Sequence, residues 1–295
     1  MIKTYYLLTK PGIIAGNLIT TASAFVLASR GSIDYRLFLA TTIGLFFVIA
    51  SACVFNNYID RKADGKMART KNRALVKGTI SVRQACVFAI LLGCLGFVSL
   101  ALYTNLLAAG VALFGFFVYV VLYSFWKYHT SYATLVGSIA GAVPPVVGYC
   151  AASNRFDAGA LLVFVILVLW QMPHFFSIAM YRSHEYAAAS IPVLPVKSGN
   201  FVTKIHMLAY VIAFMAVSLM PTLFGLTGEV YLVVAVLLGI SWLGLSIRGF
   251  RAENDFRWAR KMFALSLAVI TILCFAMSLD VVPLDLVNNE VAILP

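Results

Sequence analysis

Nine stretches of about 20 mostly apolar residues run through this chain, and that repetition limits the fold more than any other feature. They cover 11–29, 37–57, 83–103, 106–126, 132–151, 159–181, 205–223, 229–247 and 262–279. About 20 such residues are what a helix needs to cross the hydrocarbon core of a bilayer. The sequence therefore predicts an all-α, polytopic integral membrane protein of about nine transmembrane helices. It predicts a single domain over 1–295, with no inserted soluble unit. Composition agrees, since 62% of residues are hydrophobic and only 11% charged, against about 25% charged in soluble domains. The five cysteines all lie within apolar runs and form neither a disulfide framework nor metal-ligand pairs, so they are expected to be small buried residues. The first run follows Lys3 and Lys10 without a small-residue cleavage pattern and is expected to stay as a span.

The net charge of +11 would suit a nucleic-acid binder, but its distribution is that of a membrane protein. With the N-terminus cytoplasmic, every lysine and arginine except Arg30, Arg36 and Arg155 falls on the cytoplasmic side, as the positive-inside rule requires. Asp34, Asp157, Glu229, Asp280, Asp285 and Glu290 then fall outside. The expected partner is the lipid bilayer of the cell inner (plasma) membrane and not nucleic acid, with the C-terminus outside. Two cytoplasmic loops, 58–82 and 182–204, are longer than packing requires, which often marks function. They hold acidic residues that orientation does not explain: Asp60, Asp64 and Glu185.

Asn56, Asp60 and Asp64 are spaced four apart where the second apolar run ends. On a helix that spacing lines three oxygen-bearing side chains along one face. Such hard ligands suit Mg2+, which takes one or two carboxylates and completes its shell with water and substrate phosphate. Lys66, Arg69, Lys71, Arg73 and Lys77 follow, and guanidinium groups grip phosphate oxygens bidentately. Asn56, Asp60 and Asp64 are thus the candidate metal and catalytic residues. Arg69, Arg73 and Lys77 are the candidate diphosphate-binding residues.

The triplet resembles the first aspartate-rich motif of the intramembrane aromatic prenyltransferases, the UbiA superfamily. That resemblance implies a nine-helix prenyltransferase bundle, with Mg2+ as cofactor and a prenyl diphosphate bound at the cytoplasmic side. Further stretches are similar to one branch, the enzymes that farnesylate protoheme. These are Trp170-Gln171-Met172-Pro173-His174, Glu185-Tyr186, Ile191-Pro192-Val193-Leu194-Pro195, Leu8-Thr9-Lys10-Pro11, Arg69-Thr70-Lys71-Asn72-Arg73 and Pro144-Pro145. The branch implies farnesyl diphosphate and haem B as substrates and haem O as product. It also implies partners in haem handling or terminal-oxidase assembly. Glu185 stands where the branch has Asp, and Ala189 where most of the superfamily has a second Asp. Glu185 is carried over as a catalytic candidate that reaches a metal or bridging water.

His174 is the candidate haem-binding residue. If one helix runs through this segment, His174, Ile178, Arg182 and Glu185 fall near one face, with His174 about 16 Å deeper than Glu185. An ionisable side chain at that depth needs a partner. A haem iron is one; packing against Gln171 or a backbone carbonyl is the other. His129, His184 and His206 are given no role. Two rival functions stand beside this one: a prenyltransferase with another aromatic acceptor, and a transporter or non-catalytic oxidase-assembly protein. The absence of internal repeats and the clustering of carboxylates at one end argue against a transporter.

Overall fold

The computed structural model describes residues 1–283. The expected positions of Asp285, Glu290 and the last residues lie outside the described residues. Among the described residues nine helices are long and apolar enough to cross a membrane. They are α1 (Pro11–Ser29), α2 (Tyr35–Asp64), α3 (Val82–Tyr103), α4 (Leu106–Trp126), α5 (Ala133–Ser153), α6 (Ala158–Tyr181), α7 (Leu194–Leu223), α8 (Glu229–Arg251) and α9 (Asp255–Leu279). Each expected span is found. Three are longer than hydropathy alone suggests, because α2, α7 and α9 carry on past the apolar run into polar residues. The extension of α2 to Asp64 puts the whole Asn56–Asp60–Asp64 series on one continuous helix.

Start and stop signals act as their chemistry dictates. Asp34, Asn105, Asp157 and Asn254 accept backbone N–H groups at the first turns of α2, α4, α6 and α9. Ser81 and Gln84 form a reciprocal capping box at the start of α3, which satisfies two orphan donors together.

The bundle has two apolar cores, and α5 divides them. Val143, Val147 and Ala151 face a core shared with α1 to α4. Ala142, Val146, Tyr149 and Cys150, on the opposite stripe, face a core shared with α1 and α6 to α9. Pro144 and Pro145 lie inside α5, and Pro173 inside α6. Each proline removes a donor to the carbonyl four residues earlier. For α5 these are Ala140 and Gly141, which border a cavity between the cores, the setting in which a membrane helix tolerates a freed carbonyl. Gly141 is required there, because a Cβ would collide with the Gln171 amide of α6.

The two ends of the bundle differ. At one end Arg30 donates to the carbonyls of Gly225 (2.6 Å) and Val282 (3.1 Å), tying the end of α1 to those of α7 and α9. At the other end the two long loops meet. Ala63 and Met67 from the first pack on Ala189 and Ile191 from the second, with Tyr128 and Tyr186 against them. Near that end buried Lys204 donates to Asp255 (2.5 Å) and to the Gly249 carbonyl (2.7 Å), joining α7 to α8 and α9.

Candidate active site

Between the two cores lies a cavity of about 750 Å3, bordered by residues of α1, α2, α4, α5, α6 and α9. Its polar end is built on the last two turns of α2. Asn56, Asp60 and Asp64 all line it, as their four-residue spacing predicts. Each is held by a cation. Asn56 Oδ1 accepts from Lys10 Nζ at 2.5 Å. Asp60 is ion-paired with Lys127 and accepts from the Tyr128 hydroxyl at 2.8 Å. Asp64 pairs with Arg73 at 2.6 Å, and its backbone carbonyl accepts from Thr70 Oγ1. Asn57 faces away and secures α2 to the short N-terminal helix Ile2–Leu8, donating to the Leu8 carbonyl.

The electrostatics follow from burial. Desolvation lowers the Lys127 pKa, and the neighbouring Asp60 acts in the opposite direction. Burial likewise lowers the Lys10 pKa. It raises the Tyr128 phenol, and Asp60 adds to that rise. Lys10 also adopts a left-handed backbone (φ 53, ψ 65) immediately before Pro11. That conformation is uncommon for a side chain other than glycine, and such strain concentrates at functional sites. Asn56 Nδ2 is buried without a partner, a cost of about 1–3 kcal/mol that a packed protein does not normally retain.

The donor set can be tested against Mg2+. Two carboxylates and one amide line one wall, and no cluster of three or more His, Cys, Asp or Glu occurs among the described residues. That is too sparse for a closed protein site. It fits a hard cation that completes its shell with water and phosphate oxygens.

Not every candidate enters the cavity. Arg69 and Arg73 line it; Lys77 is exposed on the short helix Ala74–Lys77 and does not. Glu185 does not line it either. The expected continuous helix stops at Tyr181, Arg182 leaves helical geometry (φ −116, ψ 18), and a new short helix Ser183–Ala188 begins. The break keeps His174, Ile178 and Arg182 on the cavity wall but turns Glu185 off that face. Glu185 instead contacts Arg182 at 3.1 Å and Arg69 at 3.8 Å. The depth of His174 is then better counted to Tyr181, about 10 Å of helical rise.

His174 is buried on the cavity wall, deep to the acidic face. Its partner is neither Gln171 nor a backbone carbonyl. Nδ1 lies 2.7 Å from Ser266 Oγ on α9, and Gln171 bonds to the Ser138 and Leu167 carbonyls. The ring stacks on Trp170 at 4.8 Å and lies tilted on Phe263 at 5.0 Å. Between the two ends the wall is aromatic. α4 passes into a π-helical turn over Val118–Tyr123, a distortion frequent at functional sites, and Tyr119 and Tyr123 stack there at 5.7 Å. Phe116, Tyr119, Tyr123 and Phe175 line the cavity; Phe55, Tyr58, Trp126 and Tyr149 do not.

Sequence reasoning missed Lys10, Lys127 and Tyr128 as parts of the site. In the sequence Lys127 reads only as topogenic charge, and Lys10 as topogenic charge within the Leu8-Thr9-Lys10-Pro11 stretch, with no role at the site. The four-residue step from Tyr123 to Lys127 was a signal, because it continues the face that carries Tyr119.

A helical membrane bundle with such a cavity has known counterparts. Residues 17–268 match the UbiA prenyltransferase family, and the chain belongs to that family. Its curated relatives include the protoheme IX farnesyltransferase of Protochlamydia amoebophila, 51% identical over 98% of this chain and 100% of that protein. They also include that of Serratia proteamaculans, 54% identical over 95% of each chain. The fold is similar to a solved digeranylgeranylglyceryl phosphate synthase, with TM-score 0.79, 20% identity and coverage of 95% of this chain and 98% of that one. It is also similar to a UbiA homolog from Archaeoglobus fulgidus bound to GPP and Mg2+. There the TM-score is 0.69, with 16% identity and coverage of 93% and 99%. At these identities the solved structures share the fold.

Proposed function

We propose that this chain transfers a farnesyl group from farnesyl diphosphate to a vinyl group of protoheme IX (haem B), giving the hydroxyethylfarnesyl product haem O. The observation that carries this reading is the 51–54% identity, over nearly the whole chain, to proteins named protoheme IX farnesyltransferase. The cavity suits it. At about 750 Å3 it is in the upper part of the small-molecule range of about 300–1,000 Å3, and its two ends differ in chemistry.

Bound Mg2+, held by Asp60 and Asp64 with Asn56 beside them, would supply Lewis acidity that stabilises the departing diphosphate. Arg69 and Arg73 grip its oxygens, and Lys10 and Lys127 add positive charge at the same end. The unpartnered Asn56 Nδ2 is a further donor for a diphosphate oxygen. The farnesyl C–O bond breaks and its electron pair leaves with diphosphate. Phe116, Tyr119 and Tyr123 enclose the allylic cation, exclude water and present their ring faces. His174 holds the haem so that a vinyl carbon meets that cation, which lowers the entropic part of the barrier. The vinyl π pair forms the new C–C bond, leaving a cation on the adjacent carbon. Water adds there and loses a proton, which leaves the hydroxyl. Glu185 acts through Arg69 and Arg182 by fixing their positions. The charged end faces the cytoplasm, the C-terminus lies outside, and the membrane is the cell inner membrane.

The test is to incubate purified protein with haem B, farnesyl diphosphate and Mg2+ and weigh the porphyrin product. The expected product carries one added farnesyl cation and one hydroxide. Unchanged haem, with diphosphate released only to water, contradicts the assignment.

A further inference from the structure

His174 is buried at the deep end of the cavity, and what holds its ring lies on another helix. Ser266 is fully buried behind it and does not line the cavity. Three bonds meet at this serine. Trp170 Nε1 donates to the Ser266 carbonyl at 2.7 Å. Ser266 Oγ donates to the Phe263 carbonyl at 2.7 Å. His174 Nδ1 lies 2.7 Å from the same Oγ.

A hydroxyl has one proton. The Phe263 carbonyl can only accept, so it takes that proton, and Oγ must then accept from the imidazole. If Oγ donated to Nδ1 instead, two lone pairs would face each other at 2.7 Å. A neutral ring here therefore carries its proton on Nδ1 and keeps its lone pair on Nε2. Among the described residues Nε2 has no hydrogen-bond partner; His174 lines the cavity, whereas Ser266, which its Nδ1 faces, does not. Trp170, one turn before His174, grips the same serine through its carbonyl and stacks on the ring at 4.8 Å. Trp170 and Ser266 thus fix both the plane of the imidazole and its tautomer.

We infer that Ser266 is a positioning residue for the acceptor: its hydroxyl, committed to the Phe263 carbonyl, sets His174 as the Nδ1–H tautomer and turns the Nε2 lone pair to the cavity as the ligand for a porphyrin iron. The ligand step rests on the haem reading of His174 above; the tautomer does not. Residues that orient a metal-ligating histidine in this way are typically worth about 10–100-fold in metal affinity.

The experiment uses the full chain in lipid nanodiscs, 15N-labelled at histidine. Without haem, the His174 signals, identified by their loss in His174→Ala, are expected to be those of a neutral Nδ1–H ring. Ser266→Ala should convert them to the Nε2–H form or a mixture, and Ser266→Thr should restore them. With haem B, Ser266→Ala should weaken binding about 10-fold and shift the iron–histidine stretch of the ferrous complex, while leaving farnesyl diphosphate binding unchanged. Ser266→Thr should recover both, and Ser266→Ala should add nothing further in a His174→Ala background. An Nε2–H ring in the unsubstituted protein overturns the inference, and so does a tautomer unmoved by Ser266→Ala. A ligated haem in His174→Ala overturns the iron step and the haem reading together, and the tautomer result still stands or falls by itself.

Discussion

The two ends of the cavity are built in opposite ways. At the mouth, one helix contributes Asn56, Asp60 and Asp64 from successive turns, and each is met by a cation from a nearby loop or helix end: Lys10, Lys127 and Arg73. At the deep end stands one imidazole, His174, held by Ser266 and Trp170 and covered by Phe263. The mouth gathers buried charges that offset one another in pairs. The deep end isolates one imidazole where desolvation is costly. Such a division suits two substrates, one a polyanion and one a large apolar ring with a metal, that must meet in the middle. On the proposed function it also separates diphosphate handling, at the mouth, from choice of the acceptor, at the deep end.

Substitutions should divide along the same line. The largest effect is expected at the mouth. Asp60→Asn or Asp64→Asn should lower turnover about 10^3-fold or more, because several kcal/mol of transition-state charge stabilisation depends on the carboxylates. Circular dichroism and gel filtration should show a folded protein, and Mg2+ removal should reproduce the loss in the unsubstituted chain. His174→Ala comes next. It should reduce haem farnesylation at least 10-fold and alter the haem absorption spectrum, with farnesyl diphosphate affinity changed less than twofold. Equal losses for both substrates would dissolve the distinction between the ends.

Smaller effects sharpen the comparison at its edges. Glu185→Gln removes pairings at 3.1 and 3.8 Å in which Arg69 and Arg182 are partly exposed. Such pairs contribute about 1 kcal/mol or less, so kcat should fall about fivefold at most. A loss as large as that of Asp60→Asn would mean that Glu185 touches the substrate or metal directly. Lys77→Ala should change KM for farnesyl diphosphate less than twofold, since its side chain is exposed and outside the cavity. A tenfold rise would return Lys77 to the binding site.

The ends also differ in how legibly the sequence records them. The spans are written as runs of apolar residues, and the acidic face as a four-residue step, because a helix turns local spacing directly into a shared face. The cations opposite those acids were only partly legible. Arg73 follows nine residues after Asp64, but Lys127 comes from the end of another span and had a sufficient topological explanation of its own. The deep end was the least legible. His174 stood out as an ionisable residue inside an apolar run, yet its partner Ser266 lies 92 residues away on α9, and nothing local marks a serine in a helix as a hydrogen-bond anchor. The face expected to reach Glu185 was misjudged for a related reason. A helical face extrapolates only as far as the helix does, and here it ends at Tyr181.

The account stands most directly on one crossed binding measurement. Titrate farnesyl diphosphate with Mg2+, and separately haem B, into the nanodisc-embedded unsubstituted protein, Asp64→Asn and His174→Ala. The account predicts that Asp64→Asn loses farnesyl diphosphate and keeps haem, while His174→Ala loses haem and keeps farnesyl diphosphate. If either variant loses both ligands while still folded, or if His174→Ala binds haem as the unsubstituted protein does, the cavity does not have two chemically separate ends.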